Sequence, residues 1–358
     1  MPDFYFNPAE VARRLLAWYG RAGRDLPWRG TRDPYRIWLS EVMLQQTGVE
    51  SVIPYYERFL EAFPTVLALA AASVEEVVER WAGLGYYSRA RNLHAAAQRV
   101  VNFNAGHFPD TLEGLMALPG VGRSTAGAIL SIAFDRPAPI LDGNVRRVLC
   151  RLHALKEDLR SGSGEKKLWA WAAELTPIDR PHDYAQAIMD LGATVCTPRS
   201  PECGACPLQT CCRARSFGLE KELPLRSGGK KAPTRVQVAL LLFSQGRCLV
   251  RRRPLSGMLG GLWEFPAAAV SEGETPGMAA CRLLQIMGLA SEPRPAGEVA
   301  HIYSHFRLDL RLYRAEAEQT FNVAEGEETR WILLSELAAW PLHGAHKKAL
   351  ALLSIGEK

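Results

Sequence analysis

Four cysteines, Cys196, Cys203, Cys206 and Cys212, stand at C-x6-C-x2-C-x5-C in a segment broken by Pro198, Pro201, Gly204 and Pro207. Thiolates are soft ligands, and four of them on one short loop can wrap a metal. Zinc and an iron–sulfur cluster both remain open on spacing alone. Cys211 beside Cys212 leaves the fourth ligand ambiguous by one residue. Cys150, Cys248 and Cys281 lie far apart, so a disulfide framework is not expected.

Two carboxyl groups also stand where chemistry is possible. Glu41 lies in Trp38-Leu-Ser-Glu-Val-Met-Leu-Gln-Gln-Thr47, one turn from Trp38 and Leu44 on an otherwise apolar helix. Burial there would raise its pKa and suit it to donate a proton near neutral pH. A surface Glu on an amphipathic helix is the plainer alternative. Asp142 lies in Pro139-Ile-Leu-Asp-Gly-Asn-Val-Arg146, as a helix N-cap or as a second functional carboxylate. About twenty residues earlier comes Leu118-Pro-Gly-Val-Gly122. Gly120 and Gly122 allow a tight turn whose amides point outward at a helix start, a fit for a phosphate oxygen. This is a helix–hairpin–helix signature, which grips the DNA backbone without reading sequence.

The elements that must position these groups follow from periodicity. Apolar residues recur at three- and four-residue spacing in Val11–Trp18, Trp38–Leu44, Val52–Phe59, Val74–Trp81, Ala90–Val100 and Thr125–Ala133. Pro54, Pro64, Gly83, Gly85 and Pro109 are expected to separate them. Residues 1–225 are thus read as an all-α domain and 226–235 as a polar, glycine-bearing linker. Residues 236–358 are read as an α+β domain. Val236–Phe243 and Cys248–Arg253 flank Gln245-Gly246 as a hairpin. Val299–Tyr313 alternates, Trp331–Leu334 is a short apolar run, and Pro276–Met287 and Ala345–Leu353 suit helices.

A chain of 358 residues with a 47% hydrophobic fraction suits two globular domains. No run of about eighteen apolar residues suggests a membrane span. The start, MPDFYFNPAE, resembles neither a secretory nor a transit peptide, so a cytoplasmic protein is expected. Residues 1–225 carry 26 basic and 25 acidic side chains, and 236–358 carry 13 of each. Four of the five net positive charges therefore fall on Arg226, Lys230, Lys231 and Arg235, which are expected to contact phosphates or to sit in a solvated tether. Bulk charge alone does not mark a nucleic-acid binder.

The helix–hairpin–helix, the following Asp and the cysteine loop together resemble the endonuclease III superfamily of DNA base-excision glycosylases over residues 8–215. The resemblance implies a two-lobed helical fold with a DNA groove. It also implies a [4Fe–4S] cluster rather than zinc, with Cys212 favoured over Cys211. Bifunctional members carry a Lys amine where Ser124 stands, and a Ser forms no Schiff base. Trp38–Thr47, Leu26-Pro-Trp28, Gly83–Leu93 and Asp142-Gly-Asn-Val145 resemble the adenine DNA glycosylase branch, of MutY type. That branch removes adenine misincorporated opposite 8-oxoguanine. The resemblance implies Glu41 as proton donor and later activator of water, and Asp142, supported by Asn144, as stabiliser of an oxocarbenium-like sugar. It implies Gln46 and Tyr86 as wedges in the duplex and Gly120, Gly122 and Ser124 on the DNA. It puts Arg24, Leu26, Trp28, Arg29, Leu44 and Gln186 around the extruded adenine. Some members have Tyr where Ser124 stands, or Lys where Arg146 stands.

In the C-terminal part, Gly257–Pro266 with Gly273 and Gly288 resembles a Nudix hydrolase. The motif's acidic positions fall on Ala279, Cys281-Arg282 and Gln285-Ile286, so a Nudix-like fold without hydrolase activity is expected. Tyr303-Ser304-His305 matches the branch's Phe-Ser-His 8-oxoguanine loop, with Tyr for Phe. The expected function is monofunctional excision of adenine opposite 8-oxoguanine or G from double-stranded DNA, by a monomer. The alternatives are a bifunctional pyrimidine-lesion glycosylase/lyase and a non-catalytic DNA-damage binder.

Overall fold

The computed structural model describes residues 7–225, 232–303, 305–320 and 328–353. The chain divides into two compact units, residues 1–72 with 92–229 and residues 73–91 with 230–358. Residues 73–91, read in the sequence with the helical domain, thus belong to the second unit.

The helices run α1 Pro8–Ala22, α2 Pro34–Leu44, α3 Val49–Ala62, α4 Val66–Ala71, α5 Val74–Arg80, α6 Ser88–Asn104, α7 Leu112–Met116 and α8 Arg123–Phe134. They continue as α9 Gly143–His153, α10 Gly162–Leu175, α11 Pro181–Asp190, a π-helical turn Leu191–Val195, and α12 Arg213–Ser216. Short polar side chains start them. Asn7 accepts from the Ala9 and Glu10 amides, and Asp33 accepts from Tyr35 with Pro34 opening α2. Pro54, read as a turn, instead lies inside α3. It forgoes one backbone bond, and burial of Val52, Tyr56 and Phe59 on the same helix holds the element together.

The first unit's core gathers Ile37 of α2, Ala128 and Ile132 of α8, Val145 and Leu149 of α9, Leu168 of α10 and Ile188 of α11. Each fully buried aliphatic side chain contributes about 1.5–3 kcal/mol. This core fixes the starts of α8 and α9, where Ser124 and Asp142 stand.

The second unit holds strands β1 Thr234–Ser244, β2 Arg247–Arg252, β3 Trp263–Glu264 and β4 Ala267–Ala269, helix α13 Pro276–Ile286, strands β5 Arg294–Ile302, β6 Arg307–Glu316 and β7 Thr329–Leu333, and helix α14 Gly344–Leu353. The sheet order is β3-β2-β1-β6-β5, with β4 also pairing β1 and β7 pairing β2. β1 and β2 turn on Gln245-Gly246, both at positive φ (49° and 73°), as the hairpin reading requires. β1 alternates across the sheet: Val238, Leu240 and Leu242 join the core of α13, and Ala239, Leu241 and Phe243 join the opposite core.

The alternating run Val299–Tyr313 is two antiparallel strands, not one. Their turn closes through the Tyr303 amide and the Phe306 carbonyl at 2.9 Å. β3 and β4 are too short to leave a periodic signal. Arg235, read as linker, lies in β1 with its guanidinium 4.5 Å from the Phe306 ring centre. Arg226, Lys230 and Lys231 lie outside the described residues.

Candidate active site

A pocket of about 750 Å³ opens in the first unit. Glu41 and Asp142 both line it, with Arg24, Leu26, Trp28, Arg29, Leu44, Ser124, Asn144 and Gln186. Five separate segments thus meet: the loop before α2, α2 itself, the start of α8, the start of α9, and α11. Leu26 and Trp28 are buried, and the Trp28 ring stands edge-on to Tyr56 at 5.2 Å. Gln46 does not line the pocket. It is exposed just beyond α2, with a left-handed φ of 59°.

The two carboxyl groups differ in their partners. Burial, reinforced by the charge of Asp142 and opposed by Arg29, pushes the Glu41 pKa up to about 7. Burial also pushes Asp142 upward, but donors oppose it. Asp142 is the N-cap of α9, accepting from the Val145 amide at 2.7 Å and from Asn144 Nδ2 at 3.4 Å, and it faces the charge of Arg147. Among the described residues none donates a hydrogen bond to Glu41. When the pair shares one proton, Glu41 is therefore the group that holds it and Asp142 the group kept ionised.

Several residues of the site are invisible to motif reading. Asp190, with no exposed side-chain surface, accepts from Arg24 Nη2 at 2.6 Å and Arg29 Nη2 at 2.7 Å, and Arg29 also donates to the Tyr19 hydroxyl at 2.7 Å. It fixes both pocket guanidinium groups. Its signal was a lone carboxylate in the apolar run Ala185–Val195, the same kind that exposed Glu41. Arg147 donates to Asn144 Oδ1 and the Gly192 carbonyl, each at 2.7 Å, and to the Cys196 carbonyl at 2.7 Å. Gly192, in the π-helical turn, is required there: a Cβ would come within 2.6 Å of Asn144 Cβ. Ser124 Oγ accepts from the Leu141 amide at 2.9 Å and so holds the residue before Asp142. Gln186 is buried; its Nε2 donates to the His182 carbonyl and its Oε1 has no partner.

In the hairpin, Gly120 takes a φ of 77°, and a Cβ there would meet Asn92 at 2.8 Å. Gly122 starts α8 without any side-chain cap, leaving that helix start open to an anion.

Cys196, Cys203, Cys206 and Cys212 line one small cavity with Arg151 and Arg215, and Cys211 is not among its lining residues. The Cys211 thiol instead lies 3.3 Å from the Leu208 carbonyl. Among the described residues no three of these sulfurs lie within 4.8 Å of one another. A zinc–thiolate tetrahedron would bring them to roughly 3.8 Å. The wider spacing fits an iron–sulfur cube. Arg151, buried in α9, donates to Cys196 Sγ at 3.3 Å and to the Thr197 carbonyl at 2.7 Å. Such donors lower the charge cost of a thiolate-bound cluster.

The second unit has its own pocket, of about 520 Å³. Tyr86, Arg91, His301, Tyr303 and His305 line it. Tyr86 has a left-handed φ of 49° and lies under the Arg89 guanidinium, 5.4 Å from its ring centre. Arg91 donates to the Gly257 and Gly260 carbonyls at 3.1 and 3.2 Å and ties down that loop. Ser304 lies outside the described residues. α13 carries no carboxylate.

Residues 39–174 match the HhH-GPD superfamily of base excision DNA repair proteins, residues 196–212 the iron–sulfur binding domain of endonuclease III, and residues 237–352 the NUDIX domain. The adenine DNA glycosylase of Homo sapiens is 39% identical over 93% of this chain and 72% of its own. The structure of a thermostable thymine-DNA glycosylase covers 59% of this chain and 97% of its own, at 29% identity and a TM-score of 0.53. A non-covalent endonuclease III–DNA complex shares the fold at 24% identity, with a TM-score of 0.51 over 60% of this chain and 100% of its own. A helical glycosylase core carrying a [4Fe–4S] cluster, joined to a Nudix-like domain, is thus the architecture, and the chain belongs to the adenine DNA glycosylase family, whose members hydrolyse the N-glycosidic bond of adenine in DNA.

Proposed function

We propose that this member of the family excises adenine paired with 8-oxoguanine or G from double-stranded DNA, and leaves the strand uncut. The observation that carries the proposal is the pair in the first unit's pocket: Glu41, with its pKa pushed up to about 7, facing an Asp142 held by amide and Asn144 donors.

The chemistry follows from that asymmetry. Adenine leaves readily once protonated, because the departing base is then neutral. Glu41, protonated near pH 7, donates that proton. Positive charge develops on the sugar, and the ionised Asp142 stabilises it, with Asn144 and Arg147 fixing its orientation. Deprotonated Glu41 then activates the attacking water. Gln186 Oε1, buried without a partner, is an acceptor for the exocyclic amine of adenine. Leu26, Trp28 and Leu44 pack the extruded base, while Asp190 holds Arg24 and Arg29 in place around it. Ser124 offers no amine, and its hydroxyl is engaged with Leu141, which supports monofunctional chemistry.

The four cysteines hold the [4Fe–4S] cluster, whose role is to brace the loop 196–212 against DNA. Gln46 and Tyr86 enter the duplex, and Gly120, Gly122 and Ser124 meet its backbone. The second unit's pocket, with Tyr303 and His305, takes the base opposite adenine, without Nudix hydrolysis. The protein acts as a monomer in the cytoplasm.

Single-turnover base release from duplexes with A opposite 8-oxoguanine, A opposite G, and thymine glycol tests the reading. Adenine alone is expected to leave, with no borohydride-trapped adduct. Release of thymine glycol, or a trapped adduct, would overturn it.

A further inference from the structure

The second unit holds a buried group that neither the catalytic mechanism nor the Nudix motif uses. Glu264 of β3, His343 just before α14 and His346 within it bring a carboxylate and two imidazoles within 4.8 Å of one another. Two histidines and a carboxylate suggest a metal, but their partners are already committed. Arg251 Nε lies 3.0 Å from Glu264 Oε1, and Arg253 Nη1 lies 2.7 Å from Oε2. A cation would have to compete with two guanidinium groups. The Phe265 amide donates to His346 Nδ1 at 2.9 Å, so the neutral ring carries its proton on Nε2 and offers no lone pair to a metal.

The same contacts fix the tautomer of His343. Glu264 is held ionised by its hydrogen bond to His343 and by the charges of Arg253 and Arg251, which outweigh its burial. As a carboxylate it can only accept, so His343 Nε2, 3.2 Å away, donates. Burial keeps His343 neutral. Its Nδ1 is then an acceptor, and the Tyr303 hydroxyl lies 3.1 Å from it. The Ala345 amide faces the same phenol oxygen. The Tyr303 ring packs between His301, at 4.5 Å, and Phe306, at 5.1 Å. Tyr303 lines the second unit's pocket and begins the turn that carries His305. A Phe at this position would have no hydroxyl to anchor.

We propose that Glu264 and His343 are positioning residues for base recognition: through the Tyr303 hydroxyl they hold the Tyr303 side chain in the pocket and thereby set discrimination of the base opposite adenine. The proposal rests on the reading that this pocket takes that base. A Tyr303 side chain held in place before DNA arrives loses less ordering entropy on binding.

Three variants test it: Tyr303→Phe, His343→Leu and their combination, with His343→Asn as the conservative change, since the Asn amide oxygen can stand in for Nδ1. The readouts are the ratio of single-turnover adenine release opposite 8-oxoguanine to that opposite G, and the imidazole ¹⁵N shifts of His343. Tyr303→Phe and His343→Leu should each cut the ratio about fivefold, as for loss of one buried hydrogen bond. The combination should cut it no further, and His343→Asn should keep it within about twofold. The His343 Nδ1 shift should move in Tyr303→Phe. A wild-type ratio in Tyr303→Phe, additive losses, or an unmoved Nδ1 shift would each overturn the relay. One equivalent of zinc that survives dialysis and is lost in His343→Leu would also overturn it. A wild-type protein with no preference for 8-oxoguanine would instead overturn the reading of the pocket, and the ¹⁵N shifts would still decide the relay. Should His343→Leu fail to fold, Tyr303→Phe and the Asn variant decide alone.

Discussion

Glu41→Gln keeps the shape of the side chain proposed as the acid and removes its proton. Two effects of opposite sign should follow. In the wild type the protonated fraction of a group at about 7 falls from about nine-tenths at pH 6 to about one-tenth at pH 8. Base release should therefore drop about tenfold over that range. The variant should be at least about a hundredfold slower and lack this decline. Stability should move the other way. Folding raises this carboxyl from 4.5 to about 7. A group raised on folding contributes its full stability below its unfolded pKa, and loses it as pH climbs to the folded value. At 1.36 kcal/mol per tenfold in proton affinity, the loss is at most about 3 kcal/mol. Glu41 opens onto the pocket, so solvent screening reduces this to about 1–2 kcal/mol. Urea unfolding of both proteins at pH 5 and pH 8 measures it: the variant should gain on the wild type between the two. A pH-independent difference in stability, together with a flat wild-type rate between pH 6 and 8, would refute an elevated Glu41 and with it the acid assignment.

Further outcomes follow from the packing. Asp190→Asn leaves two guanidinium groups without their buried carboxylate, and should cost about 3 kcal/mol in urea unfolding, with slowed base release. Cys212→Ser should lose iron and visible absorbance, whereas Cys211→Ser, whose thiol is turned to the Leu208 carbonyl and is outside the cavity of the other four, should retain both by iron assay. Gly127→Ala drives a methyl into the Pro139 carbonyl and should cost about 1–3 kcal/mol, read as a lowered Tm. Gly20→Ala, with open space around it, should be neutral or slightly stabilising by the same measurement.

Many residues lining the candidate pocket were legible in the sequence, because they are local anomalies. A carboxylate among apolar residues, as at Glu41, or glycines flanking a helix start, as at Gly120 and Gly122, are visible without partners. Asp190 carried the same signal but stood in no motif, and only its two arginines explain it. Arg147 was illegible for a different reason. Its importance lies in three acceptors drawn from α9, the π-helical turn and the cysteine loop, up to 49 positions away. The hairpin of β1 and β2 was legible from its two turn residues, while β3, only two residues long, gave no period to read. The turn inside Val299–Tyr313 was hidden because alternation continues on both sides of it. The division of the chain was hidden as well, since residues 73–91 look as helical as their neighbours and only their packing assigns them to the second unit.

Gln46 and Tyr86 both hold left-handed backbone without being glycine. Each costs about 1–2 kcal/mol that a glycine would not. Any selection for heat resistance alone should therefore drift toward Gln46→Gly and Tyr86→Gly, and each step would discard a side chain proposed to enter the duplex. Directed evolution for thermostability would be expected to stall at these two positions unless base release is selected alongside it.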